Sequence, residues 1–128
     1  MKKLIEATVK PVLIIGGVGT AAAFLYAFWP QFALANIANL DLVQEDIIFV
    51  RHWGIMVGLI GVFMVAAAFI ESWRTPIILY GLFEKAFMVY LVAMYSSFPY
   101  AQGFYVPAAM DAFLTVYSIL YFISLKER

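Results

Sequence analysis

A chain of 128 residues in which 66% are hydrophobic and only 12% charged has too much apolar surface to hide in a soluble core of that size. Eight basic residues balance eight acidic ones and no basic arm stands out, so nucleic acid is not an expected partner. Cysteine is absent and histidine occurs once, which removes disulfides, thiolate metal sites, iron–sulfur clusters and bis-histidine haem ligation within one chain; no metal and no resident cofactor are expected.

The apolar residues gather into four stretches. A hydrocarbon core about 30 Å thick takes about 20 helical residues to cross. The first stretch, 12–29, ends at Pro30. Met-Lys-Lys ahead of it and small residues at Thr20 to Ala23 invite a signal-peptide reading. The apolar run outlasts the roughly 7–15 residues of such a leader, so a retained helix is expected. The connection 30–46 mixes small, apolar and asparagine residues and is expected to lie along an interface. In it Asp41 and Gln44 resemble a capping box, placing the next helix start near Leu42. The second stretch, 47–70, precedes a charged turn at 71–75. The third, 76–97, opens on Thr75-Pro76, a capping residue followed by proline at the first helical position, and breaks at Phe98-Pro99. The fourth, 105–125, carries Pro107 in its first turn, where proline is tolerated.

The stretches are continuous rather than alternating and twice the length of a barrel strand, which excludes a transmembrane β-barrel. The expected fold is all-α: one domain over 1–128, an integral membrane bundle of four antiparallel transmembrane helices. Lys2, Lys3, Lys10, Arg74, Lys126 and Arg128 fall on one side of such a bundle. The connections 30–46 and 98–104 hold no lysine or arginine, and the first contains Asp41, Glu45 and Asp46. The positive-inside rule therefore puts both termini in the cytoplasm.

Ionisable side chains inside such segments are costly, turn away from lipid and commonly mark ion or proton paths. On the second segment Arg51, Gly54, Gly58 and Gly61 share one face, where small residues let another backbone approach. His52 lies about 100° around the helix from Arg51 and reads first as a hydrogen-bonded helix residue. On the fourth segment Ala108, Asp111, Thr115 and Ser118 form a matching stripe, while Phe113, Tyr117 and Tyr121 occupy sectors suited to lipid or a partner chain. Arg51 and Asp111 lie at similar depth, about 6 and 9 Å from the same boundary by helical rise, and carry opposite charge. They are the expected buried ion pair, as glue between segments two and four or as a gate or ligand clamp.

Glu84 and Lys85 sit within the third segment. Being consecutive, they diverge around the helix, so each is expected to need its own partner. Glu84 shares a face with Tyr80, Gly81, Met88 and Leu91, and calls for a tyrosine hydroxyl or a proton. Lys85 either snorkels to the boundary or meets a carboxylate of another subunit.

Arg51-His52-Trp53-Gly54 with its glycine-bearing helix, then Arg74-x-Pro76 and Glu84-Lys85, resembles small bacterial four-helix membrane proteins of the DoxX-like kind over roughly residues 48–95. The resemblance implies a four-helix bundle of the bacterial cytoplasmic (inner) membrane, and subunits associated with quinone-linked oxidoreductases or with membrane assembly. This chain has no cysteines, flavin fingerprint or haem ligand set that would support a redox role.

Small size and charges on segment three without obvious internal partners lead to a first expectation: a non-catalytic accessory, scaffolding or assembly subunit, whose partners besides the bilayer are other membrane subunits or copies of itself. The alternatives are a small proton-coupled transporter or channel using Glu84, and a quinone-associated oxidoreductase subunit with Arg51, His52 or Tyr80 against the quinone head. Lipid or quinone is the one bound molecule in view. An enzyme is not expected, since the single histidine has no serine near it in sequence.

Overall fold

The computed structural model describes residues 1–127, so Arg128 lies outside the described residues. Regular structure among them is entirely helical: α1 (Lys2–Ala21), α2 (Phe24–Phe28), α3 (Pro30–Ala33), α4 (Ile47–Phe69), α5 (Glu71–Met94) and α6 (Tyr105–Ser124), with short irregular turns between. They build four spans long and apolar enough to cross a membrane: Lys2–Phe28, Gln44–Phe69, Glu71–Met94 and Pro99–Ser124. Consecutive spans are neighbours, and α1 closes the ring against α6. Both termini reach one end, where the Lys2 amide donates to the Glu127 carboxylate at 2.8 Å and its Nζ to the Glu127 carbonyl at 3.2 Å. That end is called the terminal end below, and its opposite the far end.

The first helix starts well before position 12 because Ile5, Val9 and Leu13 continue a buried helical stripe while Lys3, Glu6 and Lys10 point out. With Ile60, Met64, Ile78 and Leu114 they form an apolar core in the terminal half. Around Ala22 and Ala23 the chain tightens, with amide bonds reaching back three residues to Gly19 and Thr20, before it resumes as α2.

The glycine face of α4 meets α1 and α2, not α6. A Cβ on Gly54 would stand 2.6 Å from the Ala27 amide nitrogen, one on Gly61 2.5 Å from the Gly17 carbonyl oxygen, and Gly58 takes the ring of Phe24. The small stripe of α6 therefore cannot be its partner.

No five-residue turn separates α4 from α5. Ile70 alone, in extended conformation (φ −111°, ψ 96°), breaks the helix. Helix α5 begins at Glu71 and carries Pro76 inside it, where the ring withholds the amide that would have bonded to Ser72. Arg74 makes the tight reversal possible: its Nε donates to the Ala67 carbonyl at 3.0 Å and a terminal nitrogen to Ala68 at 2.9 Å, satisfying the end of α4. Near the other helix start, Asp41 caps nothing; a 3₁₀ turn over Gln44–Asp46 leads into α4 at Ile47.

At the far end α3 runs into a wide π turn, Leu34–Ala38, closed by Asn39 in the left-handed region (φ 56°) with the Leu40 amide on the Leu34 carbonyl at 2.8 Å. The second far connection, containing the 3₁₀ stretch Pro99–Phe104, lies on this turn, and the Gly103 backbone touches that of Ala38 so closely that no side chain fits. Two of the aromatic residues expected on the outside of the fourth span turn inward. The Tyr121 hydroxyl meets Thr75 Oγ1 at 3.1 Å and the Tyr117 hydroxyl meets Thr8 Oγ1 at 2.7 Å, which joins α6 to α5 and α1; Phe113 stays exposed. Their hydroxyls need partners that lipid cannot offer.

Candidate functional site

Lys85 is the centre of the polar interior. Its side chain is 3% exposed, and the Nζ donates to Thr20 Oγ1 of α1 at 2.9 Å and to Asp111 Oδ1 of α6 at 3.2 Å. By helical rise it lies about 21 Å from the start of α5, near mid-height of the bundle. It neither snorkels nor waits for another subunit. Each partner is held by its own helix: Thr20 donates to the Gly16 carbonyl at 2.8 Å, and Asp111 stands on the inward stripe of α6, where Thr115 donates back to the Asp111 carbonyl at 2.7 Å.

Glu84 approaches the same ammonium. Its Oε2 lies 3.6 Å from Lys85 Nζ, close enough for an ion pair but beyond hydrogen-bond length. Divergence of neighbouring Cβ bonds does not prevent this, because the two long side chains bend back toward the same interior. Glu84 Oε2 is buried and has no hydrogen-bond partner. One ammonium thus serves two carboxylates. With both ionised, the cluster holds one negative charge that no other described residue lining the chamber cancels.

Arg51 does not join it. Its Nε donates to the Ala27 carbonyl at 2.7 Å, near the end of α2, because the shared face of α4 looks toward α2 and Lys85 already occupies Asp111. The expected Arg51–Asp111 pair is therefore replaced by Lys85–Asp111. His52 and Tyr80 are exposed on the outside of the bundle, away from the cluster, and Gly54, Gly58 and Gly61 act in packing.

Two cavities lie on the far-end side of the bundle, and the second of them touches the charges. The larger, about 450 Å³, is almost wholly apolar and is roofed by Leu34, Leu40 and Ala101, with Phe49, Tyr95 and Tyr100 on its walls. The smaller, about 100 Å³, is lined by Thr20, Glu84, Lys85 and Asp111. Tyr26, Trp53, Met88 and Phe104 line both, and Tyr26 meets Trp53 edge to face at a centroid distance of 5.0 Å. On the terminal side Leu13, Met64, Ile78 and Leu114 close the bundle around a gap of about 20 Å³, room for no more than one water. Beyond that plug a separate chamber of about 410 Å³ opens among Lys2, Glu6, Glu71 and Arg74. Among the described residues, the space next to the charges lies on the far-end side of this packed layer.

Thr20, Trp53 and Phe104 are site residues that position and residue type did not single out. A lone threonine in an apolar helix usually bonds to its own backbone, as Thr20 also does here, so only its helix rotation marks it. No family model, curated protein or solved structure matches the chain.

Proposed function

We propose that this chain is a small integral membrane protein of the bacterial cytoplasmic membrane, with both termini inside, acting as a proton-coupled carrier centred on Glu84. The observation that carries this reading is the uncancelled charge of the Glu84–Lys85–Asp111 cluster at mid-height, with a chamber on its far-end side and tight apolar packing on its terminal side. A proton on Glu84 neutralises the cluster, and a ligand that supplies positive charge can replace it. Tight packing of Leu13, Met64, Ile78 and Leu114 around a gap of about 20 Å³ favours a carrier over an open channel. Lys2, Lys3, Lys10, Arg74 and Lys126 at the terminal end support the cytoplasmic assignment.

Infrared difference spectra of the protein in lipid nanodiscs, taken between acidic and alkaline buffer, are expected to contain a single carboxyl band from the apolar interior that vanishes in Glu84→Gln. Absence of any titrating carboxyl there, or a band indifferent to the substitution, overturns the reading.

A second reading, an accessory or scaffolding subunit as the DoxX-like resemblance implies, is favoured by uneven cover. In the most apolar window of each span 39% is buried for the first two, against 17% and 22% for the third and fourth. Phe83, Phe87 and Phe113 are exposed on these thinly covered helices. Lys85, however, has internal partners and no longer asks for a foreign carboxylate. Under this reading, mild-detergent extraction is expected to bring along other membrane subunits or further copies of this chain; a monomer in every preparation argues it down.

A further inference from the structure

Resting on the carrier reading, we propose that the ligand is a lipophilic monovalent cation, an amine or onium bearing aromatic or alkyl groups. The apolar cavity of about 450 Å³ falls within the roughly 300–1,000 Å³ of small-molecule sites, and it shares the walls Tyr26, Trp53, Met88 and Phe104 with a second chamber that holds the uncancelled carboxylate. A body that fills the first places its charge at the second.

Other ligand chemistries fit less well. A quinone or neutral lipid head presents acceptor oxygens and needs a free donor. Lys85 already donates to Thr20 and Asp111, and its remaining N–H faces Glu84. An anion meets an uncompensated carboxylate. A compact hydrated cation finds only apolar walls in the larger cavity and gains nothing in return for its lost water. A bulky cation is weakly hydrated, and the aromatic residues Tyr26, Trp53, Tyr100 and Phe104 line the cavity that would receive it. The far end supports the same sign: Asp41, Glu45 and Asp46 are exposed there against the single arginine Arg51, which draws cations to the mouth.

Charge balance sets the coupling. Glu84 carries a proton when the cavity is empty of cation; the cation enters, the proton leaves toward the far side, and the cluster stays neutral in both states. One proton is released for each cation bound.

The test is tetraphenylphosphonium binding to the full chain in nanodiscs, by titration calorimetry in buffers of different ionisation enthalpy. Saturable binding with one proton released is expected, with tetraphenylborate, the anion of the same shape, not bound. Glu84→Gln is expected to weaken binding about thirtyfold or more, as loss of one member of a desolvated charge pair does, and to abolish proton release. Glu84→Asp keeps both in weakened form, and Trp53→Ala weakens binding while leaving the proton count at one, so the proposal stays open to refutation if the glutamine variant fails to fold. Equal uptake by wild type and Glu84→Gln, or borate bound as tightly as phosphonium, overturns it. If the carboxyl band of Glu84 titrates but no cation binds, the ligand class is wrong and the proton site survives; if no carboxyl titrates, the carrier reading itself fails.

Discussion

Lys85→Met is expected to lower the unfolding free energy by about 3–5 kcal/mol, the cost of breaking a buried ion pair by removing one side. Methionine nearly matches the lysine stem in length and flexibility, so packing changes little and the loss reports charge. What remains is a Thr20 hydroxyl without its donor partner and two carboxylates that have lost their shared ammonium. Removing the second partner relieves most of this. Lys85→Met with Asp111→Leu replaces the pair by two apolar side chains, an exchange that is often nearly neutral, leaving Glu84 to take a proton. The double-mutant cycle is expected to give a coupling of about 2–3 kcal/mol. Dodecyl sulfate titration of the protein in mixed micelles measures all three variants. A Lys85→Met loss under about 1 kcal/mol, typical of an exposed pair, means that the ammonium is not where it is placed here.

How far the fold could be read in advance follows from which quantities are one-dimensional. Hydropathy along the chain locates helices long enough to cross a membrane, and all four apolar stretches fall in helices of that length and apolarity. Depth is one-dimensional as well, which is why Arg51, Glu84, Lys85 and Asp111 were recognisable as residues needing company. Pairing is not. It depends on how each helix is rotated and which neighbour it faces, and two cations, Arg51 and Lys85, were within plausible depth of Asp111. The glycines of α4 turned Arg51 toward Ala27 and left the aspartate to lysine. Local signals misled where two rules competed. Pro76 marks a helix start only if nothing earlier can begin the helix, and Arg74 capping Ala67 and Ala68 let α5 begin at Glu71. The cavity roof, made by two connections meeting at Gly103 and Ala38, has no counterpart in composition at all.

Gly61→Leu is expected to cost about 2–3 kcal/mol, as overpacking a tight contact does. The new side chain meets backbone, namely the Gly17 carbonyl and the Ala21 amide, rather than a flexible side chain that could step aside. Only separation of α1 from α4 relieves the clash. That separation has a functional consequence, because Thr20 lies one turn beyond Gly17 on α1 and loses its distance to Lys85 as the helices part. Gly81→Ala is the matched control. It lies on α5, one turn from Lys85, with nothing within 4 Å of the added methyl, and it replaces a poor helix former by a good one. A gain of up to about 1 kcal/mol is expected there, with the lysine contacts undisturbed. The same micelle titration reads both. If Gly61→Leu unfolds at the wild-type midpoint, α1 and α4 are not in backbone contact, and Thr20 loses the support that holds it beside the ammonium.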